Sequence, residues 1–299
     1  MNVTWKVAGV QMDVRLGDPA ANLEAMRGHL SAAAARGARL VVFPECALTG
    51  YGVATRAEAE RLAEPVPGPA TGAFAAECAR LGVFAAFGLL ERDGARLFNA
   101  CALVGPAGLV GVYRKLHLPC VGADRFTDPG DRPFAVYDLG GLVVGLNICF
   151  DGSFPECARI MTLLGADLIL LPTNWAEKAK RTAELSVPAR AWENHVYAMS
   201  VNRVGDEGGY HYIGMSSAAD YHGTMLAMLN HDKEEIFTID VDPAAARAKR
   251  VVHCVGEYEI DRVNWRRPEM YGPLTATPGA HPRGPHAEAR PQDSDLRPT

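Results

Sequence analysis

The stretch Leu40-Val41-Val42-Phe43-Pro44-Glu45 decides the fold class. Its apolar run has the length of a buried strand, and Pro44 ends the run because proline lacks a backbone donor. Toward the N-terminus, Gly37 closes an alanine-rich helix that begins at Asp18-Pro19, a cap residue followed by proline at the first helical position. A strand over Val7 to Gln11 precedes this helix. The strand–helix–strand order predicts an α/β protein.

The alternation of apolar strands and helical stretches continues to about residue 201. Further strands are predicted at 84–90, 98–104, 109–113, 142–148, 168–171 and 196–201, and further helices at 71–81, 156–164 and 183–194. The sequence Gly-Pro-Ala-Gly at 105–108 predicts a hairpin turn. Strands from the two halves are expected to form mixed sheets with helices outside them, and the segments 53–69, 119–129 and 206–212 are expected to be loops that determine specificity.

The composition predicts one globular domain followed by a tail. With 299 residues, 48% of them hydrophobic and 22% charged, the chain can bury a large core without a disulfide or a metal. The composition changes at Pro273, after which six of the last 27 residues are proline. We therefore predict a domain over residues 1–272 and a proline-rich, mobile tail over residues 273–299.

Charge and cysteine content exclude several classes of function. The net charge is −5 and no basic cluster occurs, so no nucleic-acid partner is expected. Seven cysteines without a CxxC pair or a close Cys/His set argue against both a disulfide framework and a zinc site. No secretory signal or apolar run of membrane length is present, and no glycine motif for phosphates occurs. These features predict a cytoplasmic protein without a membrane partner.

Three chemically useful side chains follow the ends of predicted strands. Glu45 follows residues 40–44, Lys115 follows residues 110–114, and Cys149 follows residues 143–148. Because sites in α/β sheets gather at the carboxyl ends of strands, the three side chains are expected to share one crevice. Taken singly, each has a plainer explanation: a loop carboxylate, a solvated lysine at a strand end, and a small core cysteine.

Together the three residues suit nucleophilic catalysis on a carbon–nitrogen bond. A thiol attacks a carbonyl or nitrile carbon as its thiolate, so Cys149 needs a base such as Glu45. The negative charge that then develops on oxygen or nitrogen needs a fixed cation such as Lys115 and a backbone N–H just after the nucleophile, that of Phe150.

Three segments of the chain resemble the signature blocks of the nitrilase superfamily of carbon–nitrogen hydrolases, in the same order and spacing. They are residues 43–51 (FPECALTGY), 113–119 (YRKLHLP) and 147–156 (NICFDGSFPE), with further agreement at 165–175, 190–194 and 201–203. The resemblance covers about residues 5 to 260. It implies a four-layer α-β-β-α sandwich, with Glu45 as general base, Lys115 as oxyanion stabiliser and Cys149 as nucleophile. It also implies no metal, no organic cofactor, and assembly as a homodimer or a larger homo-oligomer.

The chain departs from the family pattern at one position. Many members carry a second active-site glutamate between the lysine and the cysteine, whereas this chain has no glutamate between Lys115 and Cys149. Asp124 is the nearest candidate, and an ordinary turn aspartate is the alternative.

Four further residues are candidates for supporting roles. Phe150 and Glu193 are candidates for support of the site. Glu193 lies three residues after Arg190 on a predicted helix, and the alternative is that these two residues form a plain surface pair. The resemblance places Asn174 and Trp175 in the wall of the acyl pocket, where a simple strand-to-helix connector is the other interpretation.

The leading functional hypothesis is hydrolysis of a small linear amide, or of a carbamoyl-type amide, through a Cys149 acyl-enzyme. Hydrolysis of a small nitrile uses the same three residues and is the first alternative. A papain-like arrangement of Cys149 with His195 or His222 and Asn202 is a second. A non-catalytic relative that retains the fold is the third, and the missing glutamate keeps it open.

Overall fold

The computed structural model describes residues 4–276, which form strands, α-helices and short 3-10 turns. The strands are β1 Trp5–Gln11, β2 Leu40–Val42, β3 Phe84–Asp93, β4 Arg96–Gly105, β5 Gly108–Arg114, β6 Val136–Asp138, β7 Val143–Leu146, β8 Leu168–Thr173, β9 Tyr197–Asn202, β10 Val204–Glu207, β11 Tyr210–Ile213, β12 Ser217–Ala219, β13 Met225–Met228, β14 Glu235–Val241, β15 Val251–Cys254 and β16 Tyr258–Ile260. The α-helices are α1 Pro19–Ala35, α2 Arg56–Leu62, α3 Pro69–Leu81, α4 Pro155–Leu163, α5 Lys180–Asn194 and α6 Pro243–Arg247.

Two six-stranded mixed sheets form the centre of the described chain. Their orders are β14-β1-β2-β3-β4-β5 and β13-β12-β9-β8-β7-β6. In each sheet three neighbouring parallel strands, β1-β2-β3 and β7-β8-β9, are flanked by antiparallel strands. Read from β14 and from β6, the two sheets show the same sequence of pairing directions.

The sheets pack face to face, and helices cover their outer faces. One core cluster joins Val7 and Val42 of the first sheet to Leu170 and Val201 of the second. Other clusters pack α1 and α3 on the outside of the first sheet, and α4 and α5 on the outside of the second. This arrangement confirms the predicted four-layer α-β-β-α sandwich.

The sheet directions explain why separate strand ends meet. Strand β5 runs antiparallel to β4, which runs antiparallel to β3, so β5 points the same way as β2. The carboxyl ends of β2 and β5 therefore lie at one edge of the first sheet. Strands β7 and β8 are parallel in the second sheet and deliver Cys149 and Asn174 just beyond their ends.

Most differences from the sequence predictions lie after residue 202. The segment 206–212, expected to be a loop, lies within the β10–β11 hairpin. The segment 53–69, also expected to be a loop, contains α2. Strands β10 to β13 have only three or four residues, and a sequence such as Val-Gly-Asp-Glu at 204–207 has no apolar alternation from which to predict a strand.

The chain divides into two compact units, Met1–Val263 and the segment from Asn264. The described part of the second unit contains the 3-10 turns Pro268–Met270 and Gly272–Leu274. The predicted mobile tail, residues 273–299, lies outside the described residues from position 277 onward. Within residues 4–276, no helix is both long and apolar enough to cross a bilayer.

Candidate active site

Glu45 lies in a loop that is held tightly against β3. Gly88 of β3 donates its N–H to Pro44 O (3.1 Å) and accepts from Leu48 N (3.1 Å). A Cβ atom at Gly88 would lie 2.2 Å from Cys46 N and 2.7 Å from Glu45 Cα. Only glycine permits this approach, so β3 fixes the backbone from which the Glu45 carboxylate extends.

Lys115 is buried between two carboxylates. Its Nζ lies 2.7 Å from Glu45 Oε1 and 2.5 Å from Asp124 Oδ2, and all three side chains are fully buried. Burial lowers the pKa of Lys115, but the charges of Asp124 and Glu45 outweigh that effect and raise it well above its usual value. Lys115 is therefore an ammonium. Since an ammonium has three N–H donors and the carboxylates take two, one remains for a further acceptor.

Asp124 occupies the place at Lys115 that its sequence position suggested, and two unpredicted residues hold it there. Asn99 Nδ2 donates to both Glu45 Oε1 (2.7 Å) and Asp124 Oδ1 (2.8 Å), and its Oδ1 accepts from Cys46 Sγ (3.6 Å). Tyr51 Oη donates to Asp124 Oδ2 (2.8 Å). The shorter aspartate thus reaches the lysine with hydrogen bonds to both of its oxygens.

Sequence reasoning missed Asn99 and Tyr51 as members of this cluster. Asn99 is a fully buried amide in an otherwise apolar strand, Leu97-Phe98-Asn99-Ala100, and such an amide is itself a signal of a polar partner. Tyr51 gives no comparable signal. Its contact depends on Gly122, where a Cβ atom would lie 2.2 Å from the Tyr51 ring.

Cys149 begins the 3-10 turn Cys149–Ser153 directly after the Asn147-Ile148 extension of β7. Its φ of 45° is in the left-handed region, which is uncommon for a residue with a Cβ atom. Burial and the charge of Glu45 raise the pKa of the Cys149 thiol, while Lys115 and a backbone hydrogen bond with Asn174 lower it. The net pKa is well above its usual value, so the resting group is a thiol that needs a base.

Glu45 has a free carboxylate oxygen for such a role. Its Oε1 accepts from Asn99 and Lys115, whereas Oε2 is buried and has no hydrogen-bond partner among residues 4–276. Burial raises the pKa of Glu45, Lys115 opposes that effect, and Asp124 adds to it, with a raised pKa as the result. A carboxylate with a raised pKa is a stronger base.

Cys149 opens onto a cavity of about 580 Å³. Its lining includes aromatic side chains, the charged Glu177 and Lys178, and the predicted pocket residues; among them are Tyr51, Phe150, Asn174, Trp175, Tyr210 and Tyr212. Asn202 holds the Asn174-Trp175 loop, since its Oδ1 accepts from Trp175 N (2.7 Å) and its Nδ2 donates to Trp175 O (3.0 Å). The cavity is thus a rigid, mostly apolar pocket beside the thiol, as small-molecule sites usually are.

Glu193 is linked to the 3-10 turn of Cys149 through Arg190. Glu193 Oε1 lies 2.9 Å from Arg190 Nη1, and Arg190 Nε donates to Gly152 O (3.0 Å) within the 3-10 turn of Cys149. Glu193 itself does not line the cavity. The pair therefore contacts the backbone of that turn, unlike a surface pair without further contacts.

Asp151, His117 and Cys157 form a cluster of residue types that can coordinate a metal ion. Both Asp151 oxygens already accept hydrogen bonds within the protein. Oδ1 accepts from His117 N (3.0 Å), and Oδ2 accepts from Tyr113 Oη (2.8 Å) and Ile148 N (3.2 Å). Burial raises the pKa of Cys157 to about 12, which keeps it a thiol. The cluster therefore fits a structural support of the Cys149 turn better than a metal centre.

The papain-like arrangement does not assemble. His195 caps α5 with a left-handed backbone (φ 51°) and packs against Tyr221 and His222. Neither histidine is among the residues that line the Cys149 cavity. Asn202 is occupied by Trp175, as described above.

Comparison with known proteins agrees with the fold and the site. A sequence model of the carbon–nitrogen hydrolase family matches residues 6–251. A nitrilase from Pyrococcus abyssi is 40% identical over 247 residues, which are 82% of this chain and 93% of that protein. A formamidase from Bacillus cereus is 33% identical over 227 residues, which are 75% of this chain and 68% of that protein. The chain belongs to the carbon–nitrogen hydrolase family and is therefore an enzyme of that hydrolase class.

Solved structures show the same fold. An amidase from Nesterenkonia sp. AN1 is 23% identical, with a TM-score of 0.75, over 90% of this chain and 99% of that one. A single-residue variant of that amidase, with a TM-score of 0.71 and 24% identity, covers 81% of this chain and 92% of its own. It is described as showing covalent addition of the acetamide moiety of fluoroacetamide at the active site cysteine.

Proposed function

We propose that the protein hydrolyses the carbon–nitrogen bond of a small linear amide or carbamoyl-type amide through a Cys149 acyl-enzyme. The observation that carries the proposal is the buried Lys115 held between Glu45 and Asp124, with Cys149 near enough to interact electrostatically with Lys115 and Glu45 while it lines the cavity. In this proposal Glu45, Lys115 and Cys149 are the catalytic residues, and Asp124 takes the place of the family's second glutamate.

The first half-reaction forms the acyl-enzyme. Glu45 Oε2 takes the thiol proton, and the Cys149 sulfur attacks the amide carbon, forming the C–S bond. The third N–H of Lys115 and the backbone N–H of Phe150 stabilise the resulting oxyanion. Glu45 then returns its proton to the nitrogen, the C–N bond breaks, and ammonia or an amine leaves.

The second half-reaction releases the acid. Glu45 takes a proton from a water molecule, which attacks the thioester carbon. The tetrahedral intermediate is stabilised by the same two donors. Its collapse breaks the C–S bond, and the proton held by Glu45 returns to the sulfur, so the thiol is restored and a carboxylic acid is released.

The remaining predicted residues have proposed supporting roles. Asn174 and Trp175 line the cavity beside the thiol and are proposed to contact the acyl group. Phe150 supplies the backbone donor named above, and Glu193 orients Arg190 against the nucleophile turn. The adduct of that amidase variant supports a nucleophilic cysteine in this fold, because its cysteine bonds the acetamide moiety of fluoroacetamide.

Intact-mass analysis during turnover tests the proposal. Wild-type protein, quenched in acid while hydrolysing a panel of amides and carbamoyl compounds, should carry an acyl adduct and release ammonia. The Cys149→Ala variant should show neither. The Cys120→Ala variant, which removes an exposed thiol, should retain both. If no amide, carbamoyl compound or nitrile gives an adduct or product, the chain is a non-catalytic relative.

Nitrile hydrolysis is a second candidate, favoured by the name of the Pyrococcus relative. The thiolate would attack the nitrile carbon to give a thioimidate, which water converts through the thioester to the acid and ammonia. The same panel separates the two functions. Turnover of nitriles without turnover of amides would replace the first proposal with the second.

Assembly and location are also proposals. Exposed apolar side chains of α4 and α5, Leu163, Leu185 and Trp192, support a homodimer or a larger homo-oligomer. Light scattering on the purified chain measures that mass. A reducing cytoplasm suits a catalytic thiol.

A further inference from the structure

The side-chain amide of Asn174 is buried at the Cys149 cavity without a hydrogen-bond partner. The residue is 8% exposed, and within the described part of the chain neither Nδ2 nor Oδ1 has a partner. A buried polar group without a partner costs about 1–3 kcal/mol. Because most buried polar side chains are paired, this one calls for a partner from outside the chain.

The backbone on both sides of Asn174 is held by hydrogen bonds. Thr173 Oγ1 donates to Asn202 Oδ1 (3.1 Å), and both backbone groups of Trp175 are bonded to the same Asn202. The backbone of Asn174 is itself hydrogen-bonded to Cys149. The residues on each side are thus fixed, and the amide stays beside the nucleophile.

Glu45 offers a parallel within the same site. Its Oε2 is also buried and unpartnered among residues 4–276, and the proposed mechanism uses that oxygen to receive a proton. The Asn174 amide differs in that it offers one acceptor and two donors. A group that satisfies both ends must itself present an acceptor and a donor side by side, as a carboxamide or ureido group does.

We infer that Asn174 recognises a second amide function in the acyl part of the substrate. The preferred substrates would then be short diamides and ureido-amides, and hydrolysis of the reacting amide would consume one water and release one ammonia and a carboxylic acid. The inference rests on the proposed function, in which Lys115 takes the oxygen of the reacting amide and so leaves Asn174 for another group. A cavity of about 580 Å³ has room beyond a single carboxamide.

Two amides of matched shape test this inference. Malonamide carries a terminal carboxamide where isovaleramide carries an isopropyl group. Wild type should prefer malonamide in kcat/KM. In Asn174→Leu, which keeps the size and removes the polar atoms, the malonamide/isovaleramide ratio should fall by about 10- to 100-fold, because roughly 1.4 kcal/mol corresponds to each factor of ten.

Asn194→Leu is the matched control. Asn194 is also buried with an unpartnered Oδ1 among the described residues, but it does not line the cavity, so the substrate ratio should stay at the wild-type value. If Asn174→Leu does not fold, Asn174→Asp keeps the shape, removes the donors, and should lower the same ratio.

The outcomes separate this inference from the function on which it rests. Wild type that hydrolyses both amides without preferring malonamide, or an Asn174→Leu ratio within about twofold of wild type, overturns the role of Asn174 and leaves amide hydrolysis intact. Wild type that hydrolyses neither amide and forms no adduct on Cys149 overturns both.

Discussion

Asp124 shares a buried cluster with Glu45, so its charge affects how the base titrates. Asp124 raises the pKa of Glu45, and Asn99 bridges the two carboxylates. In Asp124→Asn the pKa of Glu45 should fall, because a negative neighbour is removed and Lys115 then pairs with Glu45 alone. The acid limb of kcat/KM against pH should therefore move to lower pH. Looser positioning of Lys115 should lower kcat roughly 10- to 100-fold.

A control for this prediction lies in the same loop. Asp128 accepts from Leu97 N and makes no contact with Lys115, so Asp128→Asn should leave the pH profile in place. An unchanged acid limb in Asp124→Asn would mean that Asp124 does not act on Glu45.

Lys115 serves both stability and the proposed reaction. Lys115→Met removes one oxyanion donor, so kcat/KM should fall by about 10² to 10³. It also leaves two buried carboxylates without their cation, which should lower the free energy of unfolding by about 3–5 kcal/mol. Urea denaturation and steady-state kinetics measure the two effects. Lys178→Met, at an exposed position, should change stability by less than about 0.5 kcal/mol.

At the scale of elements, the β10–β11 hairpin is anchored to the loop of Tyr51. Glu207 Oε1 accepts from Tyr51 N (2.8 Å) and Gly52 N (2.6 Å), and its Oε2 pairs with the fully buried Arg203 (2.6 Å). In Glu207→Gln the Arg203 guanidinium loses its buried counter-charge. The free energy of unfolding should fall by about 3 kcal/mol, as measured by urea denaturation.

Asp206 on the same hairpin gives the comparison. Its side chain is exposed and contacts His211, so Asp206→Asn should change stability by no more than about 0.5 kcal/mol. Equal unfolding midpoints for the Glu207→Gln and Asp206→Asn variants would show that the hairpin anchor is not needed for stability.

Elements with strong local signals could be predicted from the sequence, and those that depend on tertiary contacts could not. Asp18 accepts from Ala21 N and caps the start of α1, as its sequence position predicts. The apolar run at 40–43 contains β2, which ends one residue earlier, at Val42. Strand β12 has three residues and is defined by its pairing with β9 and β13. No periodicity can develop over so short a run.

The same division holds at the site. The positions of Glu45, Lys115 and Cys149 beyond strand ends could be predicted because each follows an apolar run and lies in a family block, and their catalytic roles remain the proposal made above. The bridge made by Asn99 depends on the lateral order of β3, β4 and β5, which places residue 99 next to the Glu45 loop. That order is a property of the assembled sheet. Sequence position alone makes Asp124 a candidate, whereas its contact with Lys115 depends on the fold.

At the scale of the whole molecule, the packing of the two sheets depends on a close approach at Gly9. A Cβ atom there would lie 2.4 Å from the Phe237 ring and 3.0 Å from Val201 of the second sheet. Gly9→Ala should overpack this core and lower the free energy of unfolding by about 1–3 kcal/mol. Thermal or urea unfolding measures the loss.

At a glycine within a helix, a change to alanine is expected to raise stability rather than lower it. Gly28 lies in α1 with no atom within 4 Å of a Cβ placed there. Gly28→Ala should raise stability by about 0.5–1 kcal/mol, because alanine loses less conformational freedom in a helix. A Gly9→Ala variant as stable as Gly28→Ala would contradict the close packing of the sheets.

The raised pKa of the Cys149 thiol has a consequence for the resting protein under oxidative stress. Hydrogen peroxide oxidises thiolates far faster than thiols, so a half-buried cysteine that keeps its proton beside two carboxylates is a poor target. We expect peroxide to oxidise the exposed Cys120 and Cys254 before Cys149. In the proposed mechanism Cys149 depends on Glu45 for deprotonation, and we expect the same arrangement to slow sulfenic acid formation at Cys149 between turnovers.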